Sequence, residues 1–415
     1  MFWTILHTID ITLWVIIAAS VAYVVFFAII SLFYEKDDFA STHASALQKY
    51  RQRRFLILYP AYHEDGVILN SIDKFLYQDY PTDKFQVVVI SDHMTDETNR
   101  QLSAMPITLL TPVFEKSSKA KAMQYAINFV EERGTRKEER GTRNEERGTR
   151  NEEWGFDNIV VLDADNVDEP DFLQKLNILC NAGYEAIQCH RCAKNTAGDV
   201  AALDGASEEI NNTIFRKAHN RLGLSSALIG SGMCFDYQLF RQNVFRLSTA
   251  GEDREMEALL LRQKVFIKYA AEIHVFDEKV SNKDNFQRQR MRWMTAQVQS
   301  LQRQLPLIPD AIMHGNLNFI DKTIQQALIP RSMLIVIITM MALFMTVLVP
   351  AWCAKWWWLL AVLALALYIA IPSQMRSRSL FGKAIAIPGL VLRMLKNLLH
   401  IDRKNTDFLH TTHNQ

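Results

Sequence analysis

Ile159-Val160-Val161-Leu162-Asp163-Ala164-Asp165-Asn166 is the stretch that decides the fold. Four consecutive apolar residues predict a strand buried on both faces, and two carboxylates one residue apart close it. Such strands belong to α/β sheets, whose ligands bind at the carboxyl edge. Paired carboxylates at that edge suit a hard divalent cation, which takes oxygen ligands and shares its shell with substrate phosphates. In isolation a D-x-D is more often a surface turn that caps the next helix. Here Glu252-Asp253 and Gln289-Arg290-Met291-Arg292-Trp293 follow, and apolar spans bracket the whole.

Around this strand, short apolar runs alternate with helical patterns from residue 55 to 270. Phe55 to Tyr59, Phe85 to Ser91, Ile107 to Leu110, Ile159 to Leu162 and Ala186 to Cys189 read as strands. Val67 to Gln78, Lys119 to Glu132 and Asp171 to Ala182 read as helices. The βαβα rhythm predicts an α/β domain with a mostly parallel sheet covered on both faces. Arg133 to Glu153 interrupts it with three near-identical heptads, RGTRKEE, RGTRNEE and RGTRNEE. None has an apolar position, so no coiled-coil seam forms; a solvated helical extension or a disordered loop is expected.

The ends are apolar. Ile11 to Phe33 and Ser332 to Ala354 run without charge, and Trp356 to Met375 follows Lys355. Each is long enough to cross a hydrocarbon core of about 30 Å as a helix, which takes roughly 20 residues. The first lacks a basic leading region and a small-residue cleavage site, so it reads as a signal anchor. Lys49, Arg51, Arg53 and Arg54 follow the first span, and Arg376, Arg378, Lys383, Arg393 and Lys396 follow the third. The positive-inside rule then puts the amino terminus outside, and residues 35–330 and the tail in the cytoplasm. Trp356, Trp357 and Trp358 are expected in the outer interfacial belt. The expected setting is a bacterial plasma (inner) membrane, with the catalytic body cytoplasmic.

The expected organisation is an anchor at 1–34, a catalytic domain at 50–300 and an interfacial helix region at 301–330. Two transmembrane helices at 331–375 and an amphipathic tail at 376–415 complete it. A net charge of +1 over 415 residues supplies no global field for a polyanion, so nucleic acid is excluded as a partner. Five cysteines form no disulfide framework. Cys189-His190-Arg191-Cys192 has C-x-x-C spacing but no second ligand pair in sequence, so buried or idle thiols are expected.

Further segments give the chain its chemistry. Pro60-Ala61-Tyr62-His63-Glu64 follows the first strand, Ser91-Asp92-His93-Met94-Thr95-Asp96 ends the second, and Ser118-Lys119-Ala120-Lys121 opens a helix. Gly230-Ser231-Gly232, Glu252-Asp253 and Gln289-x-x-Arg292-Trp293 follow the D-x-D. In this order they resemble membrane-bound glycosyltransferase family 2, the group of cellulose, chitin and hyaluronan synthases, over roughly residues 50 to 300. His63, Ser91 and Met94 depart from that family's usual Asn, Asp and Ser.

The resemblance implies a GT-A-type nucleotide-sugar-binding domain. It places Pro60, Tyr62, Glu64, Asp92, Lys119 and Asp163 at the nucleotide, with Lys119 near the diphosphate at a helix amino terminus. Asp165, with Asp163, would hold Mg²⁺ or Mn²⁺, and Asp253 would be the general base. Glu252, Gly230, Gly232, Gln289, Arg292 and Trp293 would serve the acceptor or diphosphate. The implied reaction is inverting hexosyl transfer from a nucleotide sugar, UDP-linked by preference, to a membrane lipid or a growing polysaccharide, with other synthase subunits as possible partners. The alternative is a non-catalytic membrane scaffold that binds nucleotide sugar within a synthase complex.

Overall fold

The structure is a computed structural model and describes residues 1–33, 50–142, 155–194, 199–249, 251–278 and 283–376, without the side chains of residues 2, 134–142, 199–200 and 283–292. The later heptad residues and nearly all of the expected 376–415 tail lie outside the described residues. Two compact units emerge: Met1–Lys36, Asn195–Ser226 and Lys279–Arg403 make one, and Asp37–Lys194, Ala227–Glu278 and Lys404–Gln415 the other.

The second unit carries an eight-stranded sheet. Its strands are β1 (Phe55–Tyr62), β2 (Phe85–Asp92), β3 (Thr108–Leu110), β4 (Asn158–Val161), β5 (Val167–Asp168), β6 (Ala186–Ala193), β7 (Met233–Asp236) and β8 (Ile267–Asp277). Their spatial order is β3-β2-β1-β4-β7-β6-β8-β5. β1 lies parallel to β2 and β4, β2 to β3, and β6 to β8. β7 is antiparallel to β4 and β6, and β5 to β8. The chain builds outward from β1 to β3 and then returns to the other side of β1 with β4. Between β1 and β4 the winding therefore reverses, which opens a crevice at their carboxyl ends. The D-x-D follows β4 directly.

Burial explains the strands. Phe55 to Tyr59 and Ile159 to Leu162 are completely buried, as strands covered on both faces require. On one face Phe55, Ile57 and Tyr59 pack with Ile72, Phe75 and Phe172, and the Tyr59 and Phe75 rings meet edge to face at 5.9 Å. Truncating a fully buried aromatic such as Phe172 to Ala would cost about 3–5 kcal/mol. On the helix Lys119–Thr142, Ala122, Met123, Ala126, Ile127 and Val130 recur at helical spacing and are buried. This helix continues through the first heptad and the first three residues of the second.

β5, β7 and β8 extend the expected strand set. β7 has only four residues, three of them apolar, and β8 interleaves Lys268, Glu272 and His274 with its apolar positions, so neither offers the long apolar run of β1.

In the other unit, Trp3–Ser31, Arg331–Leu348 and Pro350–Ala370 are long and apolar enough to cross a membrane. Ile17, Val21 and Val24 of the first pack with Leu334 and Ile338 of the second and Leu359 and Leu363 of the third. The third helix starts at Pro350, in the first turn where proline is tolerated, and not after Lys355. Lys355 lies within it and pairs with the buried Asp10, whose other oxygen accepts from Trp356 Nε1 at 2.9 Å. Trp356 is therefore fully buried against the other helices, while Trp357 and Trp358 remain exposed. Within the expected interfacial helix region at 301–330 lie two separate helices, Ile308–Met313 and Leu317–Ala327. Gly315, at φ +61°, makes the break, and Asn316 caps the second helix by accepting from Phe319 N.

Candidate active site

Lys119, in the first turn of its helix, is the hub. Its Nζ donates to Asp163 Oδ1 and, at 2.7 Å, to the Gly230 carbonyl, and lies 3.9 Å from Glu252 Oε1. Gly230 has φ +82°, a left-handed conformation suited to glycine. A Cβ there would lie 3.7 Å from Glu252 Oε1, 3.8 Å from Asp253 Oδ2 and 3.9 Å from Lys119 Nζ. Four chemical groups thus crowd one small volume beside a bare backbone. Gly232, at φ +63°, serves packing, since a Cβ there would meet Val275 Cγ2 at 3.0 Å and Cys189 Cβ at 3.3 Å.

The D-x-D loop is held from below. Asp163 N donates to Asn166 Oδ1 at 2.9 Å and to Ser231 Oγ at 3.0 Å, and both partners are fully buried. Asp165 accepts from Asn166 Nδ2 and from Glu278 N, each at 3.0 Å. Gln188 accepts from Ile229 N at 3.0 Å and donates to the Ser231 carbonyl at 2.9 Å, while Glu257 accepts from Leu228 N at 2.7 Å. These bonds fix the Gly230 loop. Gln188, Glu257 and Glu278 escaped the motif reading because their partners at the site are distant in sequence.

Electrostatics set the protonation states. Burial, then the Asp165, Asp163, Asp65 and Glu278 carboxylates, push Glu64 up to about 9. Burial raises Glu252 to about 7, with Asp253 and Asp163 pushing further and Lys119 partly offsetting them. Burial would depress Lys119, but Asp163 and Glu252 outweigh it, so its ammonium is held above the usual lysine range. Glu64, Asp163, Asp165 and Glu278 offer only oxygen, and the other carboxylates raise Glu64, an effect a cation beside them would offset. The donor set fits Mg²⁺ or Mn²⁺.

At the ends of β1 and β2, Tyr62 stands opposite Asp92 in register. Asp92 is buried and accepts from His93 Nδ1 at 2.6 Å. The Tyr62 ring lies 4.5 Å from that of His63 and 5.6 Å from that of His93. His63 and His93 both hold positive φ, of 54° and 57°, which is uncommon outside glycine. Pro60 lies within β1 opposite Ile90. The aromatic cluster offers faces for a planar ring beside an acceptor carboxylate.

The sheet unit thus gathers Lys119, Asp163, Gly230, Glu252 and Asp253, with Glu64, Asp165 and Glu278 near Asp163. Gln289, Arg292 and Trp293 belong to the helix Lys283–Gln304 of the helical unit. Trp293 is half-buried, and the side chains of Gln289 and Arg292 lie outside the description.

The family described as Glycosyltransferase like family 2 matches residues 52–296. No curated protein sequence matches the chain. Among solved structures, the mannosyltransferase PcManGT from Pyrobaculum calidifontis with GDP-Man and Mn²⁺ is 17% identical, with a TM-score of 0.48 over 92% of this chain and 98% of that one. S. aureus TarS 1-349 with UDP-GlcNAc is 13% identical, with a TM-score of 0.40 over 84% and 92%. Glucosyl-3-phosphoglycerate synthase from Mycobacterium tuberculosis, with Mn²⁺, UDP and glucosyl-3-phosphoglycerate, is 14% identical, with a TM-score of 0.34 over 60% and 77%. Likenesses at this level carry no argument about substrate.

Proposed function

The chain belongs to the family 2-like glycosyltransferases, and from that premise we propose inverting transfer of a hexose from a nucleotide sugar, UDP-linked by preference, to a membrane lipid or a growing polysaccharide. The observation that carries this reading is the convergence of Lys119, Asp163, Glu252 and Asp253 on the bare Gly230 backbone.

Tyr62, His63, His93 and Asp92 receive the nucleobase and ribose, the rings by stacking and Asp92 as acceptor. Lys119 binds the diphosphate at the start of its helix. Asp165 and Asp163, with Glu64 and Glu278 beside them, would hold Mg²⁺ or Mn²⁺, which supplies charge neutralisation for the departing diphosphate. Asp253 takes the proton of the acceptor hydroxyl. That oxygen bonds to the anomeric carbon as the bond to the diphosphate breaks on the opposite face, which inverts the configuration. Gly230 lets the sugar approach the backbone closely. Gln289, Arg292 and Trp293 are assigned to the acceptor and diphosphate, Arg292 as a phosphate-binding fork. The three apolar helices support membrane residence and a lipid-linked acceptor.

The test is release of nucleoside diphosphate by the detergent-solubilised chain across UDP- and GDP-sugars, with Mn²⁺ or Mg²⁺ and total membrane lipid. The expected result is metal-dependent release from one donor that Asp253→Asn abolishes, and the size of the labelled product separates glycolipid from polymer. Nucleotide binding without release from any donor would favour the scaffold.

A further inference from the structure

We infer a second metal site, for Zn²⁺, formed by His190, Cys192 and His274 and distinct in donor chemistry from the carboxylate site. β6 and β8 pair in parallel up to Cys189 opposite Ala270, and then the register slips so that His190 faces His274. Three extra residues of β8 are taken up at that slip. On β6, residues 190 and 192 share a face by strand alternation. Cys189 points the other way into the hydrophobic core. The sequence pair Cys189/Cys192 is therefore split, and His274 joins His190 and Cys192 instead. One candidate ligand atom from each of these three lies within 4.8 Å of the others, and the two imidazole rings are 5.2 Å apart. Zinc bonds of about 2.0–2.3 Å set tetrahedral ligand atoms roughly 3.5 Å apart, so modest side-chain adjustment closes the site.

The surroundings prepare both imidazoles. His190 Nδ1 donates to the Ala271 carbonyl at 3.0 Å, in the slipped segment of β8, which leaves the metal-binding lone pair of the neutral ring on Nε2. His274 Nδ1 donates to Glu169 Oε1 at 3.1 Å, with the same consequence. Glu169 is in turn held by Lys175 Nζ at 2.8 Å on its other oxygen. A carboxylate or carbonyl behind each histidine is the arrangement that orients metal-bound imidazoles. His190 is buried, while Cys192 and His274 are half-exposed, so an ion can enter. Two imidazole nitrogens and a thiolate select Zn²⁺ over Mg²⁺ or Mn²⁺. Binding forms two N–Zn bonds and one S–Zn bond, releases the Cys192 thiol proton to solvent and leaves the fourth position to water. The ion would tie β6 to β8 four residues before Glu278, whose N–H holds Asp165.

The test uses the full chain in detergent, freed of metal and titrated with Zn²⁺ against a chromophoric chelator, with Co²⁺ as a spectroscopic probe. One tightly bound Zn²⁺ per chain and a Co²⁺–thiolate charge-transfer band are expected. Cys192→Ser removes the band, His274→Gln weakens Zn²⁺ more than tenfold, and Glu169→Gln weakens it by about 10- to 100-fold. Asp165→Asn leaves both signals intact. Circular dichroism and the thermal midpoint of each variant report that the chain is folded, independently of any nucleotide binding. Folded wild-type protein that takes up no Zn²⁺, or a thiolate band that survives in Cys192→Ser, would overturn the site.

Discussion

Each unit buries charge, and the two treat it in opposite ways. In the helical unit, buried polar groups among the described residues are paired. Asp10 is matched by Lys355 and Trp356, and His219 pairs with Asp321 at 3.2 Å while its ring stacks on Phe27 at 3.7 Å. Arg216 meets Glu208 at 3.1 Å. Asp321 accordingly lies below the usual carboxylate range, since hydrogen bonding and charge from His219 outweigh its burial. In the sheet unit carboxylates crowd one another, and Glu64 and Glu252 are driven up to about 9 and about 7. Under the proposed function, the paired charges are structural and the crowded carboxylates are the ones a ligand would meet.

Substitutions can break or sharpen this contrast. The largest effect belongs to Asp253→Asn, which should lower kcat by about 10²- to 10⁴-fold while the thermal midpoint and nucleotide affinity hold. A matching fall in stability would instead make Asp253 part of the scaffold. Next is Lys355→Met, which strands Asp10 and should cost about 3–5 kcal/mol of unfolding free energy. The double variant with Asp10→Asn should recover most of that loss, and a double variant as unstable as the single would refute the pairing argument.

Smaller is the effect of Glu252→Gln. With the folded pKa at about 7, the carboxylate that helps seat Lys119 forms only as pH rises through neutrality. Wild-type kcat/KM should therefore climb about tenfold per unit below pH 7 and level above it, and the variant should lack that limb. A limb unchanged in the variant would assign it to another group.

Smallest is Asp168→Asn. Asp168 is buried in β5, neither carboxylate oxygen has a hydrogen-bond partner among the described residues, and burial raises its pKa well above the usual value. Its folded state keeps a proton that the unfolded state loses above about pH 4, so stability falls as pH rises from there toward the folded pKa. The amide should flatten that slope and raise stability at pH 7 by about 1 kcal/mol, read from thermal midpoints across pH.

Much of the sheet was legible because β1, β2 and β4 are apolar runs that end in chemistry. Asp163, Lys119 and Glu252-Asp253 were legible as motifs, and the structure adds that they meet at Gly230. Less legible was what long-range pairing decides. Lys355 read as a loop charge because its partner Asp10 is 345 residues away. The nearness of Cys192 to His274 has no sequence signal, because it depends on the slip between β6 and β8. Glu278 has no motif at all, and its contribution to the D-x-D is a backbone N–H.

Within the described residues, the helix that opens at Lys119 runs into the duplicated heptads. A helix turns about 100° per residue, so seven residues return the same face within about 20° and lengthen the rod by about 10.5 Å. Copies added at the far end leave the lysine, its turn and its buried face where they were. Within the described residues, the repeat therefore lies at the opposite end of the helix from Lys119.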